Sequence, residues 1–351
     1  MKYTHPTAFT LSALLVTCIL VHAQTRTPIV GGDDMVVKMN LAAFRAAPIW
    51  NTLQAVTDKG STTQSHATLK KRILDAVGFS DQDVRSIELR GQLGNLKPND
   101  PSDWKQSNFQ AVFDLSKPCS DSDFTTILNL CKEEMNLADI SPITGIPGAL
   151  RITPSANEST TLSVARSTDG RRIALAMTPA RLTSALAPGH ANTALSPNLQ
   201  SILRATDERA GLRIAIRVPD SIRETIQAQI QSAQDPDMNA GNPMAAAFMA
   251  PLQNLQSIGL SALATTTLDL SLTADMGDPQ AANQASVLLQ TFLIPMIQQK
   301  TADSSNPGKT LRTSSQGSIL NLSITLDETD IKTMQSGGMN PDMPMAPDAT
   351  E

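Results

Sequence analysis

Five segments of the chain alternate apolar and polar residues with a period of two, and this alternation predicts β-strands. Such strands bury one face and leave the other in water, which is typical of antiparallel sheets and not of a doubly wound parallel sheet. We therefore predict an α+β fold, in which mainly antiparallel sheets are covered by helices on one face. The five segments are 84–93, 109–115, 212–218, 267–276 and 320–326.

Between the strands, apolar residues recur at three- and four-residue spacing and predict helices. Pro295 is expected to kink the end of the long helix 280–300. The predicted helices are 44–56, 68–77, 121–135, 180–186, 221–232, 244–255, 280–300 and 328–334, and further strands are predicted at 35–41, 162–164, 173–177 and 258–263.

The order of predicted elements is nearly the same in two parts of the chain, which indicates an internal duplication. A lead-in (24–34) precedes the first half (35–188), a hinge with a short helix (189–208) joins it to the second half (209–335), and a disordered tail (336–351) follows. Within each half we expect three strands to pair in one sheet: 35–41, 109–115 and 173–177 against helix 121–135, and 212–218, 267–276 and 320–326 against helix 280–300. The pattern leaves open whether the halves share one sheet or form two domains.

Register in strand 267–276 is predicted from burial of its apolar side. Leu268, Leu270 and Leu272 are expected to face inward, and Asp269, Ser271 and Thr273 to face outward.

The first 23 residues read as a secretory signal peptide. Lys2 supplies positive charge, residues 8–21 are mostly apolar, and Val21 and Ala23 suit cleavage before Gln24. Fourteen helical residues span about 21 Å, less than the roughly 30 Å hydrocarbon core, so a cleaved leader is favoured over an anchor. Lipidation at Cys18 is the less favoured alternative, because Thr17 stands where that chemistry needs a small residue. The product is expected to be exported to the periplasm or beyond, with no transmembrane segment after cleavage.

The mature chain contains two cysteines, Cys119 and Cys131. If 121–135 is a helix, the ten residues from Asp121 to Cys131 cover about 15 Å, too far for Cys119 to reach back to the Cα separation of a disulfide. We expect two free thiols.

Composition excludes some partners. The 351 residues include 28 basic and 33 acidic ones, and Lys2 is the one charged residue of the leader. The mature chain therefore has 27 basic and 33 acidic residues, a net charge of −6, and no basic tract. This balance argues against nucleic acid or an anionic membrane as partner. The mature chain has no Tyr and two Trp, which leaves few stacking platforms for sugars or bases.

Candidate catalytic residues are scarce. His66 and His190 both lie in polar, turn-like stretches, and no nucleophile elbow accompanies them. Ser102 and Lys105 have Ser-x-x-Lys spacing but precede a strand, where that pair needs a rigid helix. The segment 306–310 ends like a phosphate loop but lacks its leading Gly.

Candidate metal ligands are equally weak. The segment 235–241 resembles half of a calcium loop, with Ala240 at the sharp-turn position and Ala246 where the closing acid belongs. Three tail methionines could be soft copper(I) ligands but lack His or Cys support. The carboxylate pairs at 33–34 and 133–134 are predicted to be solvated. We assign no catalytic, cofactor-binding or metal residue, and no cofactor. The three methionines are Met339, Met343 and Met345.

A strand that runs into Leu41–Trp50 (LAAFRAAPIW) behind a leader is similar to the opening of a group of uncharacterised exported bacterial proteins. The resemblance extends through most of the chain, with duplicated α+β halves that end in a strand, a polar cap and a short helix. The resemblance implies the fold and an exported location, and it implies no activity.

Two functions are consistent with the sequence. The first is an exported, non-catalytic binding or scaffold module of the bacterial envelope, with an envelope protein or a small molecule as partner. The alternative is an exported hydrolase that uses paired carboxylates or a Ser/His pair. Carboxylates that converge in a cleft with raised pKa values would favour the hydrolase.

Overall fold

The computed structural model describes residues 33–54, 64–92, 108–154, 161–187, 195–234, 250–295, 297 and 310–337. Within these ranges the strands are β1 (Met35–Asn40), β2 (Val84–Gln92), β3 (Asn108–Leu115), β4 (Asp139–Pro142), β5 (Leu150–Thr153), β6 (Leu162–Arg166), β7 (Arg172–Ala176), β8 (Leu212–Arg217), β9 (Ser257–Ala264), β10 (Leu268–Asp275), β11 (Arg312–Gln316) and β12 (Ile319–Leu326). The helices are α1 (Leu41–Ala46), α2 (Gln64–Val77), α3 (Asp121–Glu134), α4 (Pro179–Leu186), α5 (Pro197–Ala205), α6 (Asp220–Gln234), α7 (Pro279–Leu288) and α8 (Glu328–Gly337).

All twelve strands belong to one sheet in which every pairing is antiparallel. The predicted α+β class is therefore confirmed, and the question of one sheet or two is answered by the pairing of β1 with β8. None of the helices in the described ranges has both the length and the hydropathy to cross a bilayer.

The two halves are arranged alike around the β1–β8 pair. Outward from β1 the order is β2, β3, β7, β6, and outward from β8 it is β9, β10, β12, β11. The strands β3 and β10, which the sequence predicts to be equivalent, therefore occupy matching places. Helices also match, since α3 follows β3 as α7 follows β10, and α4 follows β7 as α8 follows β12. The hairpin β4–β5 is an addition at one edge of the first half.

One face of the sheet, called here the apolar face, is densely covered in the first half. Phe113 of β3 and Ile87 of β2 pack with Leu69 of α2 and with Phe124 and Leu128 of α3. α3 begins where it does because Ser120 and Asp123 form a capping box, in which each side chain accepts the other residue's backbone N–H. This is the helix cover that the sequence predicts.

The opposite face, called the polar face, is covered in part by α4 and α5. Leu182 and Ala185 of α4 pack on Ala174 of β7, and Ile202 of α5 packs on Ala215 of β8. Gly259 of β9 makes room for α5, because a Cβ at this position would lie 2.5 Å from the Ile202 Cγ2 atom. These helices come in addition to the predicted cover of the apolar face.

The prediction of which β10 side chains are buried is wrong. Leu270 is half-buried beside Leu326 and Ile331, but Leu272 is 41% exposed, whereas Thr273 is fully buried. The reason is that helix α5 lies over β8, β9 and β10 on the polar face. Thr273 satisfies its hydroxyl there by donating to the Asn321 Oδ1 atom of β12, at 2.9 Å.

Other predicted elements differ at their ends. Helix α1 stops at Ala46, because Ala47 precedes Pro48 and is extended, and the chain is helical again at 50–54. The long predicted helix 280–300 is α-helical to Leu288, widens into a π-helical turn (Leu289–Leu293) just before Pro295, and is α-helical again at residues 294, 295 and 297. In the predicted helix 244–255, residues 250–254 form a 3-10 turn and 244–249 lie outside the described residues.

Cys119 and Cys131 are free and buried, as the spacing predicts. Burial raises the pKa of each thiol to about 11, and the nearby Asp123 carboxylate adds to the effect at Cys119. Since the thiolate is the reactive form, we expect neither cysteine to react with iodoacetamide at neutral pH in the folded protein, and both to react in urea. Mass spectrometry measures this. An unlabelled pair after unfolding without reductant would contradict it.

The uneven cover of the apolar face predicts uneven mutational costs. We expect Phe113→Ala to lower the free energy of unfolding by about 3–5 kcal/mol, because the ring is 2% exposed and its removal leaves a cavity. Leu272→Ala on β10 should cost about 1 kcal/mol or less, since much of that side chain is already in water. Urea denaturation of both variants measures the difference. Equal losses would show that the second half is as tightly packed as the first.

Candidate functional site

A cleft of about 730 Å³ opens on the polar face above the central strands. Its lining includes residues of β1, β2, β3 and β8, the start of α1, and the turn between β6 and β7. The turn into α1 is fixed by Asn40, whose side-chain oxygen accepts the Ala43 N–H at 3.0 Å. The cleft therefore lies at the junction of the two halves.

The floor of the cleft is an ionic cluster. Lys38 of β1 lies 3.5 Å from the Glu88 carboxylate of β2, its direct partner in the strand register. The Arg90 guanidinium donates to the same carboxylate from a position that is almost wholly buried. A charge can be buried at this depth because a counter-charge accompanies it.

Two arginines of the cleft hold the ends of the helices on the polar face. Arg213 of β8 donates to the Leu203 carbonyl oxygen and, at 3.0 Å, to the Thr206 hydroxyl at the end of α5. Arg172 of β7 donates to the Leu186 carbonyl at the end of α4, at 3.4 Å. The last carbonyls of a helix lack partners within the helix, so cations there satisfy them and oppose the helix dipole.

Arg85 owes its position to a β-bulge. The register between β2 and β3 shifts between Val84 and Ser86, which leaves Arg85 as the extra residue. Strict alternation would place Arg85 on the apolar side with Ile87. A bulge re-aims the strand locally, and Arg85 is exposed and lines the cleft.

The acidic residues of the cleft are mostly engaged as acceptors. Asp114 accepts the Ser86 hydroxyl at 2.7 Å, and Asp169 accepts the Ser167 hydroxyl at 2.5 Å and the Arg171 N–H at 3.0 Å. These bonds to Ser167 and Arg171 lower the pKa of Asp169. Glu208 is exposed at the rim.

Beside the cleft, Asp33 and Asp34 tie β1 to both halves. Asp33 lies 2.7 Å from the Arg181 guanidinium of α4, and Asp34 lies 2.7 Å from that of Arg217 on β8. The prediction that this carboxylate pair is solvated is therefore wrong: Asp34 is buried, and both side chains have cationic partners. Glu133 and Glu134, the second predicted solvated pair, both bind Arg72 of α2.

The structure does not bring the sequence candidates into this cleft. His66 lies on α2, which covers the other face, and its side chain is not among those described. The remaining candidates all lie outside the described residues: His190, Ser102, Lys105 and the segments 235–241, 306–310 and 339–345.

The alternation of β2 and β8 predicts a polar side on each strand that faces solvent, whereas the structure places these polar sides in and beside the cleft. The available signal was charge: Glu88 and Arg90 alternate on one strand, and Arg213 and Arg217 on the other. Charges repeated on the same side of two strands could have indicated a shared ionic cluster. The lining residue Arg85 gave no such signal, because a bulge is not visible in the alternation.

Within the described ranges, no group of three or more His, Cys, Asp or Glu residues is placed to hold a metal ion. No family model matches the chain. No curated protein matches it either. Among solved structures the chain is similar to one reported as "Structure of crystal form I of TP0453", with a TM-score of 0.41 and 11% identity, over 88% of this chain and 94% of that one. The similarity is distant.

The ionic floor predicts a structural cost for neutralising Glu88. We expect Glu88→Gln to lower the free energy of unfolding by up to about 3 kcal/mol, because it removes the anion that Arg90 and Lys38 share. Glu208→Gln is the matched control and should change stability by less than about 0.5 kcal/mol, since Glu208 is exposed. Urea denaturation at neutral pH tests both. Equal effects would mean that the Glu88 pairs contribute nothing measurable.

Proposed function

We propose that this protein is a non-catalytic binding module whose binding site is the cleft on the polar face. The observation that carries the proposal is that three carboxylates of the cleft already have ion-pair or hydrogen-bond partners within the protein. Glu88 serves two cations, Asp114 accepts a hydroxyl, and Asp169 accepts a hydroxyl and an N–H. Each of these three carboxylates is therefore already engaged as an acceptor, and the bonds to Asp169 lower its pKa.

A hydrolase built on paired carboxylates needs one acid that keeps its proton near neutral pH, which requires a raised pKa. Among the described carboxyl groups whose pKa is shifted, the pKa is lowered and not raised. Hydrogen bonds and neighbouring cations lower the pKa values of the following: Asp83, Asp123, Asp169, Asp207, Asp220 and Glu328. Of these acids Asp169 lines the cleft, and its lowered pKa disfavours a general-acid role there.

The cleft has the size and lining of a ligand site. A volume of about 730 Å³ lies within the range of small-molecule sites, roughly 300–1,000 Å³. Its floor is carried by paired strands, which position side chains more rigidly than loops do. We further propose, from the leader-like residues 1–23 and the resemblance noted above, that the module is exported from a bacterial cell and works in the envelope.

We expect Ala42→Trp to block ligand binding, because Ala42 is exposed on α1, lines the cleft, and would fill it with an indole ring. A panel of anions, cations, amino acids and sugars is screened for thermal stabilisation of the mature protein. In parallel, ester, glycoside and phosphate-ester substrates are tested for turnover. A ligand that stabilises the wild type should fail to stabilise Ala42→Trp.

Ala228→Trp is the matched control, since Ala228 is exposed on α6 and lies outside the cleft lining. Turnover that Asp114→Asn abolishes and Ala228→Trp preserves would contradict a non-catalytic site. The protein is recovered from the envelope fraction of a bacterial host that expresses the full sequence. An intact mass beginning at Gln24 is expected there, and a chain that keeps residues 1–23 in the cytoplasm would contradict export.

A further inference from the structure

We infer that the ligand of the cleft carries an oxyanion, a phosphate, sulfate or carboxylate group on a small molecule, which binds between Lys38, Arg213 and Arg85. This inference rests on the proposed binding function and names its ligand class.

The first observation is a pair of like charges at the junction of the halves. Lys38 of β1 and Arg213 of β8 are direct partners in the antiparallel register, so their side chains start from the same face of the sheet on adjacent strands. Like charges placed directly opposite each other destabilise a sheet. An anion bound between them would relieve this repulsion.

The second observation is that only Lys38 has a carboxylate as its partner on the neighbouring strand, although the Asp207 carboxylate, in the turn after α5, also attracts Arg213. Each of the two cations also has a register partner on the strand farther from the junction. The partner of Lys38 is Glu88 of β2, and the partner of Arg213 is Ser261 of β9. Glu88 also serves the buried Arg90. The hydrogen bonds of Arg213 within the described part of the chain go to neutral oxygens, those of Leu203 and Thr206.

The third observation is the placement of Arg85. The bulge in β2 brings an exposed arginine to the cleft, and among the described residues it has no hydrogen-bond or ion-pair partner. A guanidinium offers parallel N–H donors that match the oxygens of a phosphate or a carboxylate. A third cation, with no partner in the described part of the chain, therefore lies at the rim of the cleft.

The remaining acids offset this group only in part, because the cleft lining has five basic residues and four acidic ones: Lys38, Arg85, Arg171, Arg172 and Arg213 against Glu88, Asp114, Asp169 and Glu208. Asp114 and Asp169 are engaged by Ser86, Ser167 and the Arg171 N–H. Glu208 is the acidic residue left at the rim. Its negative charge repels an incoming anion. Neutralising Glu208 is therefore expected to strengthen anion binding, whereas removing Arg85 is expected to weaken it.

The test is calorimetric titration of the mature protein with inorganic phosphate, sulfate and citrate, and with glucose and putrescine as neutral and cationic probes. We expect at least one oxyanion to bind, and its affinity to fall as salt rises. Arg85→Ala should weaken that binding about tenfold, the loss expected for one charge-assisted contact. Glu208→Gln should strengthen it. Arg151→Ala, which removes an exposed arginine outside the cleft lining, should leave it unchanged.

Arg85 is exposed, so its variants are expected to fold, and circular dichroism checks this. Arg85→Lys keeps the charge but loses the paired donors, and should bind the oxyanion better than Arg85→Ala does. Oxyanion binding that is equal in the Arg85→Ala, Glu208→Gln and wild-type proteins would overturn the inference. Binding of glucose or putrescine alone, blocked by Ala42→Trp, would overturn the oxyanion while leaving the binding function in place. If none of the screened compounds binds in a way that Ala42→Trp blocks, both fail.

Discussion

The antiparallel pairing of β1 with β8 is the interaction on which the rest of the structure depends. Each half has its own hairpins and helices, but this single ladder makes one twelve-stranded sheet of them. The register is reinforced at one end by Asp34, whose carboxylate binds Arg217 at 2.7 Å, and the Arg217 N–H in turn donates to the Asp34 carbonyl oxygen at 2.7 Å. A slip of one residue would break both contacts and exchange the two faces of β1.

The same pairing explains why the polar face carries ionic clusters. A sheet with helices on both faces cannot leave all its polar side chains in water, and α4 and α5 cover part of this face. The buried Arg90 has Glu88 as an anion, and Thr273 has Asn321 as an acceptor. Where cover ends, between the helices and above β1, the polar side chains line an open cleft. The cleft is thus a consequence of incomplete cover, since the apolar positions of this face lie under α4 and α5 and charged side chains occupy the face between them.

Much of this fold could be predicted from the sequence, because strands with one apolar side have a strong period-two pattern. Segments such as 109–115 and 320–326 lie within one residue of β3 and β12. The class, the repeated order and the free thiols follow from patterns of this kind. The burial of β10 could not be predicted, since Thr273 is buried by α5, whose position depends on tertiary packing. The charged cleft was also beyond reach, because it depends on which strands become neighbours across the junction and on a bulge at Arg85.

The meeting of the two halves also accounts for the charge of the cleft. The two halves have the same strand order outward from the antiparallel β1–β8 pair, so side chains of the two halves meet across this pair. A basic side chain on one central strand then lies beside a basic side chain on the other, as Lys38 lies beside Arg213. The halves differ in the next strand out, where Glu88 on β2 corresponds to a small hydroxyl side chain, Ser261, on β9. With five basic and four acidic residues in its lining, the cleft keeps a small positive surplus at the junction, although the whole chain is acidic. A local surplus of this kind can attract an anion to the cleft even when the net charge of the protein opposes it, because charges beyond a Debye length of about 8–10 Å are largely screened.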